Sequence, residues 1–211
     1  SDKIISSQLS QISRDKFNKE VSTINLGFSG NGPLLEYATL KEYLKYVKAK
    51  RVLYFFYEGN DFHNLYIEFK DPFLKKYLDN KFQQKLINKQ TDIDRINHSL
   101  LEEKIKKKNV GLYGFIKLGK LRTLLRTVLN KKLKLQHSES SEKNYQIYND
   151  ILINLKKLTK NQNAELYFIY LPSISRFFDV GYDTNYEIYN KVISMVKDVD
   201  IKYIDLLNRI K

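Results

Sequence analysis

The sequence predicts an α/β protein in which helices alternate with the strands of a parallel sheet. The run Arg51 to Tyr57 is apolar with almost no polar alternation, which is typical of a strand buried on both faces of a parallel sheet. Leu166 to Leu171 is a second such run, and Pro172 ends it because proline removes a donor from the ladder. Apolar residues at helical spacing over Leu34 to Lys48 and Asn144 to Leu158 complete the alternation. This order of elements favours a three-layer α/β/α sandwich over an all-helical protein or a nucleic-acid module.

The composition indicates one domain. With 211 residues, of which 42% are hydrophobic, residues 1–211 are enough for one sizeable core and few for two. The formal net charge of +13 would suit a nucleic acid or another anionic surface as a partner. Lysine, asparagine, isoleucine and tyrosine are frequent along the whole chain, however. We therefore attribute the positive charge to the composition of the whole chain rather than to a binding patch. We expect no nucleic-acid partner, and a weak contact with anionic surfaces stays open.

Several classes of site are not expected. There is no cysteine, so neither a disulfide nor a thiolate metal site can form, and the redox compartment stays undetermined. No group of His, Asp and Glu has the spacing of metal ligands, and we expect no cofactor. The sequence has no apolar run of roughly 18 residues. We therefore expect a soluble chain, with the cell envelope and the cytoplasm both open as compartments.

The first elements are predicted to be a helix, a strand and a second helix. Ile4 to Phe17 has the spacing of a surface helix packed on a sheet, and Val21 to Phe28 predicts a first strand. Pro33 suits the first turn of the next helix, which is the crossover of a βαβ unit. That helix is expected to face the core with Tyr37, Leu40, Leu44 and Val47, while Lys41, Glu42, Lys45 and Lys48 lie off this face.

Residues 62–142 predict a long helical insertion or lid, because they contain helical patterns and no convincing strand. Within them, Phe73 to Asn97 predicts a helix pair. Leu118 to Leu135 predicts a basic amphipathic helix, either docked on the domain or lying on a membrane or anionic polymer. The polar run His137 to Lys143 predicts a loop or hinge. After the insertion, Tyr186 to Lys197 predicts a helix and Ile201 to Leu206 the last strand.

Two glycine-rich and asparagine-rich segments follow predicted strands and resemble blocks of one enzyme family. The segment Asn25 to Pro33 (NLGFSGNGP) is similar to the second block of the SGNH (GDSL-like) hydrolases, and Gly59-Asn60-Asp61 is similar to their third block. Because loops at the carboxyl ends of parallel strands carry the ligand chemistry, we expect the two segments to share one crevice. The resemblance covers the interior of the family's sequence pattern.

The resemblance implies a flavodoxin-like, SGNH-type parallel sheet with strand order 2-1-3-4-5. It also implies that the backbone N–H of Gly30 and the side-chain amide of Asn60 donate to the oxyanion that forms on an ester carbonyl. Removal of such a donor typically costs about 10²–10³ in rate. The alternative for Asn60 is a turn residue or helix cap, with Asp61 capping the helix that follows.

The nucleophile and its base are not evident in the sequence. Ser29 lies in a segment close to the G-x-S-x-G pattern, but Asn31 stands at the final glycine position. The resemblance implies that Ser29 belongs to the oxyanion block of the family. We therefore keep Ser29 only as a secondary candidate nucleophile. His63, His98 and His137 all fall in the predicted insertion, and we expect them to be surface residues. The resemblance implies that the Gly-Asp-Ser block lies just before Ser1 and the Asp-x-x-His block shortly after Lys211.

The sequence therefore leads us to expect the interior of an SGNH-type esterase or acyl hydrolase. Its substrate would be a small acyl ester or an acylated glycan, cleaved through a serine nucleophile, although the chain as given looks catalytically incomplete. Two alternatives stay open. One is a non-catalytic SGNH-like module that binds a glycan or an acyl group, and the other is a basic module that binds anionic surfaces.

Overall fold

The computed structural model of the chain describes residues 4–109, 142–177 and 186–209. The chain divides into two compact units, Ser1–Asn31 and Gly32–Lys211. The predicted basic helix over Leu118 to Leu135 lies outside the described residues, and so does His137. Of the predicted loop His137 to Lys143, only the last two residues are described, and both are helical.

The first unit contains one helix, α1 (Ile5–Phe17), and no strand among its described residues. The predicted strand over Val21 to Phe28 is wrong. This segment has no strand pairing and its apolar side chains are largely exposed, with Phe28 at 79%. It is tied instead to α1 by a side chain, because the Thr23 hydroxyl donates to the Ser6 carbonyl at 3.0 Å. The helix itself has no buried residue.

The second unit is built on a three-stranded parallel sheet. The strands are β1 (Arg51–Tyr57), β2 (Glu165–Leu171) and β3 (Lys202–Asp205), in the order β1-β2-β3. The prediction of these three strands is confirmed to within one or two residues at each end. The sheet and the helices around it place the protein in the α/β class, as the sequence predicts.

The helices of the second unit separate the strands along the chain. They are α2 (Pro33–Tyr43), α3 (Asp61–Glu68), α4 (Pro72–Lys75), α5 (Gln90–Asn109), α6 (residues 142–161) and α7 (Tyr186–Asp198). Single turns of 3-10 helix occur at Leu44–Tyr46, Lys76–Leu78, Leu86–Lys89 and Ile174–Arg176. The predicted helix pair over Phe73 to Asn97 is wrong, since these residues form short turns followed by part of one long helix, α5.

The core lies against one face of the sheet. Tyr54 and Phe56 of β1 are in register with Phe168 and Tyr170 of β2, so the four side chains point to the same face. This aromatic face packs against α6, where the ring of Tyr148 lies 5.2 Å from the ring of Phe56. None of the five side chains is more than 6% exposed.

The opposite face of the sheet is less covered. Leu53 of β1 is exposed, Phe55 and Leu171 are half-buried, and none of the three belongs to the core cluster. The prediction that β1 is buried on both faces is therefore wrong. The reason is that the helices of the core pack on the Tyr54 side, and that within the described residues β1 pairs only with β2.

Helix α2 begins at Pro33, as predicted, but it buries two charged residues that the sequence assigns to its solvent side. Lys41 is 5% exposed and Glu42 is 1% exposed. The Lys41 ammonium donates to the carbonyl oxygens of Tyr77 at 2.9 Å and Asp79 at 2.6 Å. It thereby satisfies acceptors at the end of the 3-10 turn over Lys76–Leu78.

The carboxylate of Glu42 fixes the chain that follows this turn. It accepts hydrogen bonds from the Tyr77 hydroxyl at 2.8 Å and from the amides of Gln84 and Leu86 at 2.5 and 2.9 Å. Burial raises the pKa of Glu42, but the bonds from Leu86, Gln84 and Tyr77 outweigh it and leave the pKa below its usual value. Periodicity alone misplaces this residue because its partners lie about 40 positions away in the sequence.

We expect Glu42→Ala to destabilise the protein by about 3 kcal/mol, because it leaves a buried hydroxyl and two amides without an acceptor. Urea unfolding at pH 7 measures the loss. The control is Glu102→Ala on α5, whose side chain is 58% exposed, and which we expect to change stability by less than about 0.5 kcal/mol. Equal losses in the two variants would show that the Glu42 contacts do not hold this segment.

Candidate functional site

The carboxyl ends of the three strands meet at one edge of the sheet. β1 is followed by residues 58–61 and β2 by residues 172–176. The third segment, residues 205–208, starts at the last residue of β3. In open parallel sheets, ligands bind at this edge, in the crevice formed by the loops. These three segments are called the strand-end site.

Asn60 occupies the N-cap position of α3 without capping the helix through its side chain. Its carbonyl oxygen accepts from the amide of Asn64 at 2.8 Å, but its carboxamide makes no capping hydrogen bond and the residue is exposed. Asparagine at this position normally accepts from an amide of the first turn. The side-chain cap is thus not present, and the carboxamide of Asn60 can donate to a ligand.

The loop that carries Asn60 is held at both of its ends. The carboxylate of Asp61 accepts from the amide of Tyr57 at 2.7 Å, across the loop rather than along the helix. The amide of Glu58 donates to the carbonyl of Leu171 at 3.0 Å. The position between Glu58 and Asn60 requires a glycine, because a Cβ on Gly59 would lie 2.4 Å from an atom of the Tyr57 ring. The backbone around Asn60 is therefore fixed by close contacts.

A buried ion pair joins the loops that follow β1 and β2. Glu58 and Arg176 have side chains that are 6% and 4% exposed, and the Arg176 Nε donates to Glu58 at 2.6 Å. A second guanidinium nitrogen contacts the other carboxylate oxygen, and the amide of Ser173 also donates to this carboxylate, at 2.9 Å. The bond to Glu58 is the main reason that the pKa of Arg176 lies above its usual value. This pair fixes the position of the second loop against the first.

The end of β3 carries a third polar group. The carboxylate of Asp205 accepts from the Tyr189 hydroxyl at 2.6 Å, from the Asn208 carboxamide at 2.6 Å and from the amide of Leu207 at 2.9 Å. The bond to Asp205 raises the pKa of Tyr189. Asp205 is thus used to fix the turn after β3 and to tie it to α7.

Glu68 caps the start of α2. Its carboxylate accepts from the amides of Gly32 at 2.5 Å, Leu34 at 3.0 Å and Leu35 at 3.2 Å. These amides have no partner within the helix, and the helix dipole favours a negative charge there. A Cβ on Gly32 would lie 2.9 Å from a Glu68 oxygen and 2.5 Å from Cβ of Asn64, so only glycine fits.

Glu36, Asp61 and Glu68 are called the acidic cluster; Asp61 and Glu68 are buried and Glu36 is half-buried. Burial, with the charges of Asp61 and Glu68, raises the pKa of Glu36 to about 8. Burial also raises the pKa of Asp61 to about 7, although its bond from Tyr57 acts in the opposite direction. The pKa of Glu68 is raised by burial and lowered in part by its three amide donors. Each of the three carboxyls therefore keeps its proton to a higher pH than an exposed carboxyl would.

The predicted residues Ser29 and Gly30 belong to the first unit, whereas Asn60 belongs to the second. Gly30 has φ of +94°, a conformation that glycine adopts readily. It forms a turn that is closed by a bond from the Asn31 amide to the Phe28 carbonyl at 3.1 Å. Ser29 and Gly30 are both exposed. The pairing of Gly30 with Asn60 stays a prediction.

Two of the three histidines are described, and both are surface residues as predicted. His63 on α3 is exposed. His98 on α5 lies 3.8 Å from the carboxylate of Glu102, and its side chain is 73% exposed. Among the described residues no group of three or more His, Asp and Glu has the arrangement of a metal site.

Comparison of the chain with protein-family models, with curated proteins and with solved structures finds no match. In the described ranges no helix combines the length and the apolar character needed to cross a bilayer.

Sequence reasoning missed Glu58, Arg176, Glu36 and Glu68. Glu58 follows a buried strand directly, so its place at the strand ends was a usable signal. Arg176 lies 118 positions further on, and no local pattern joins the two. Glu36 and Glu68 lie in helices, where periodicity normally assigns a glutamate to the solvent side.

We expect Arg176→Met to destabilise the protein by about 3–5 kcal/mol, because it leaves the Glu58 carboxylate buried without its cation. The control is Lys202→Met, which breaks the exposed pair with Glu165 at 2.8 Å and should cost less than about 1 kcal/mol. Thermal unfolding of both variants checks the difference. A loss for Arg176→Met no greater than that for the control would rule out a fixing role for the buried pair.

Proposed function

We propose that the chain is an SGNH-type esterase or acyl hydrolase domain in which Asn60 helps to bind the oxygen of an ester carbonyl. The observation that carries the proposal is the position of Asn60. It is exposed at the carboxyl end of β1, and its carboxamide is not used to cap α3. A carboxamide donates a hydrogen bond to a developing oxyanion without adding a charge. Gly30 is the second proposed donor, and Ser29 stays a secondary candidate nucleophile.

The rigid surroundings of Asn60 support this role. An oxyanion donor is effective when it is held in place before the reaction, because no reorganisation is then needed in the transition state. Asp61 and Gly59 fix the loop on either side of Asn60. The pair of Glu58 and Arg176 fixes the neighbouring loop against the loop that carries Asn60.

We also propose the three-layer sandwich of this family. The parallel order β1-β2-β3 corresponds to strands 3, 4 and 5 of its 2-1-3-4-5 sheet, whereas Val21 to Phe28, expected as strand 2, forms no strand. Within the described residues β1 has a free edge, where a further strand would pair. Leu53 and Phe55 give the second face of the sheet apolar side chains, which a further layer of helices would cover.

The proposed substrate is a small acyl ester or an acylated glycan. Both present a carbonyl oxygen to the Asn60 carboxamide. A non-catalytic module that binds an acyl group would use the same donor, so turnover is what separates the two possibilities.

We expect the purified chain not to hydrolyse short-chain aryl esters above a buffer control, because neither a nucleophile block nor an Asp-x-x-His block is visible in the sequence. Release of nitrophenol from an acetyl ester measures this. The control is Ser29→Ala, which should behave as the parent chain does. A rate that Ser29→Ala abolishes would show that Ser29 is the nucleophile and that the chain is a complete enzyme.

We expect Asn60→Ala to weaken the binding of an O-acetylated monosaccharide by at least about fivefold, the loss of roughly one hydrogen bond. Saturation-transfer NMR, titrated against the deacetylated sugar as reference, measures the affinity. The matched control is Asn97→Ala, which removes an exposed carboxamide on α5. Equal binding of both sugars, or no effect of Asn60→Ala, would exclude Asn60 as a carbonyl donor.

A further inference from the structure

A groove lies between α6 and the carboxyl-terminal end of α7. Its volume is about 500 Å³, which falls in the range of small-molecule sites in proteins. β2 begins shortly after α6, and β3 begins shortly after α7. The groove therefore lies near the edge of the sheet where the strands begin, opposite to the strand-end site.

One face of α6 forms the longer wall of the groove. The residues that it contributes are Asn149, Ile153, Lys156, Lys157 and Lys160. They follow one another at intervals of three and four positions, apart from the adjacent pair of lysines, which places them along one side of the helix. This side of α6 is therefore apolar and uncharged at its start and cationic in its last turns.

Lys156 joins the two walls of the groove. Its ammonium donates to the carbonyl oxygens of Val199 at 2.7 Å and Asp200 at 2.8 Å, and to the Asp200 carboxylate at 3.0 Å. Val199 and Asp200 follow the end of α7, where carbonyl groups have no partner within a helix. The charge of Lys156 is thus balanced by Asp200, and the groove is closed on this side by a direct contact.

Lys157 and Lys160 bring positive charge to the groove that is not used in this way. Both are exposed, and neither forms an ion pair with another described residue. Like charges three positions apart on a helix repel each other. The acidic residue of the lining is Asp198, whose carboxylate accepts from the Ser194 hydroxyl at 3.4 Å. Two lysines against one aspartate leave a surplus of one positive charge, which a single anionic group would balance.

The remaining lining is apolar. Ile153 on α6 and Val199 after α7 are half-buried, so part of each side chain is open to the groove. An alkyl group laid on these side chains is removed from water, which is favourable by about 25 cal/mol for each Å² of apolar surface. The groove thus combines a cationic end with an apolar surface.

We propose that this groove binds a monocarboxylate with a short alkyl chain. The carboxylate lies between Lys157 and Lys160, and the chain lies along Ile153 and Val199. A carboxylate supplies the single negative charge that the surplus requires, whereas a phosphate monoester would bring about 1.5 to 2 negative charges next to Asp198. The site is separate from the loop of Asn60 and does not depend on the proposed ester chemistry.

Titration of the full chain with sodium octanoate tests the site without any variant. The amide resonances of residues 149–160 and 198–200 should shift, and those of residues 58–61 should not. Acetate has the same carboxylate but no chain, and it should bind at least about tenfold more weakly because it leaves Ile153 and Val199 uncovered. Octyl phosphate should also bind more weakly than octanoate. Equal binding of acetate and octanoate, or tighter binding of octyl phosphate, would overturn the proposal.

A pair of substitutions tests the cationic end. Lys157→Gln with Lys160→Gln should weaken octanoate binding by at least about tenfold, because the charge-assisted hydrogen bonds are lost. The matched control is Lys16→Gln with Lys19→Gln, which removes two exposed lysines at the same spacing outside the groove and should leave the affinity unchanged. Asn60→Ala should leave it unchanged too, which separates this site from the proposed ester site. An equal loss in the two lysine pairs would show that octanoate responds only to net charge and would overturn the proposal.

Discussion

The packing of one aromatic face of the sheet against α6 is the interaction on which the rest of the second unit depends. Phe56 stands at its centre, with the rings of Phe62, Tyr148 and Tyr170 between 5.2 and 5.7 Å away. Each fully buried side chain of this size contributes about 2 kcal/mol through its apolar surface. Because the same face holds β1 and β2 in register, it also sets where the two strands end. The core therefore sets where the strands end, and the contacts of Asp61, Glu58 and Arg176 then fix the loops of the strand-end site.

The choice of tyrosine for this face has a further effect. Tyr54, Tyr148 and Tyr170 bring hydroxyl groups into the core together with their rings. A buried hydroxyl makes the local environment more polar than phenylalanine would, and it tolerates a neighbouring carboxyl group. The charges of Glu36 and Asp61 contribute to the raised pKa of Tyr54 and Tyr148, although burial is the main cause. The acidic cluster is thus a consequence of how the aromatic core is built, and not a separate feature placed on the surface.

The elements that could be predicted from the sequence are those whose pattern is local. The apolar run of β1, the run of β2 ended by Pro172, and the periodicity of α7 each carry their own signal. Val21 to Phe28 has a similar composition but forms no strand, because a strand exists only where a partner completes its ladder. Composition reports the propensity of a segment and not the presence of that partner.

The site was predictable only in part for the same reason. Gly59 and Asn60 follow a strand, and that local fact was sufficient to single out the loop. The groups that hold the loop were not predictable, since Arg176 reaches Glu58 from the other half of the chain. Lys41 and Glu42 were misplaced because periodicity assigns charged residues to solvent, whereas their partners at Tyr77 and Gln84 come from a distant segment.

The acidic cluster bears directly on what Asn60 can do. Asp61 is the next residue in the chain, and an ionised carboxylate so close to a developing oxyanion would raise the energy of the transition state by like-charge repulsion. A carboxamide donor can stabilise an oxyanion at this position only if its acidic neighbour is largely neutral. Burial meets this condition below about pH 7, because it raises the pKa of Asp61 to about 7. Burial of Asp61 is thus consistent with the oxyanion role proposed for Asn60 at mildly acidic pH, where the carboxyl is mostly neutral.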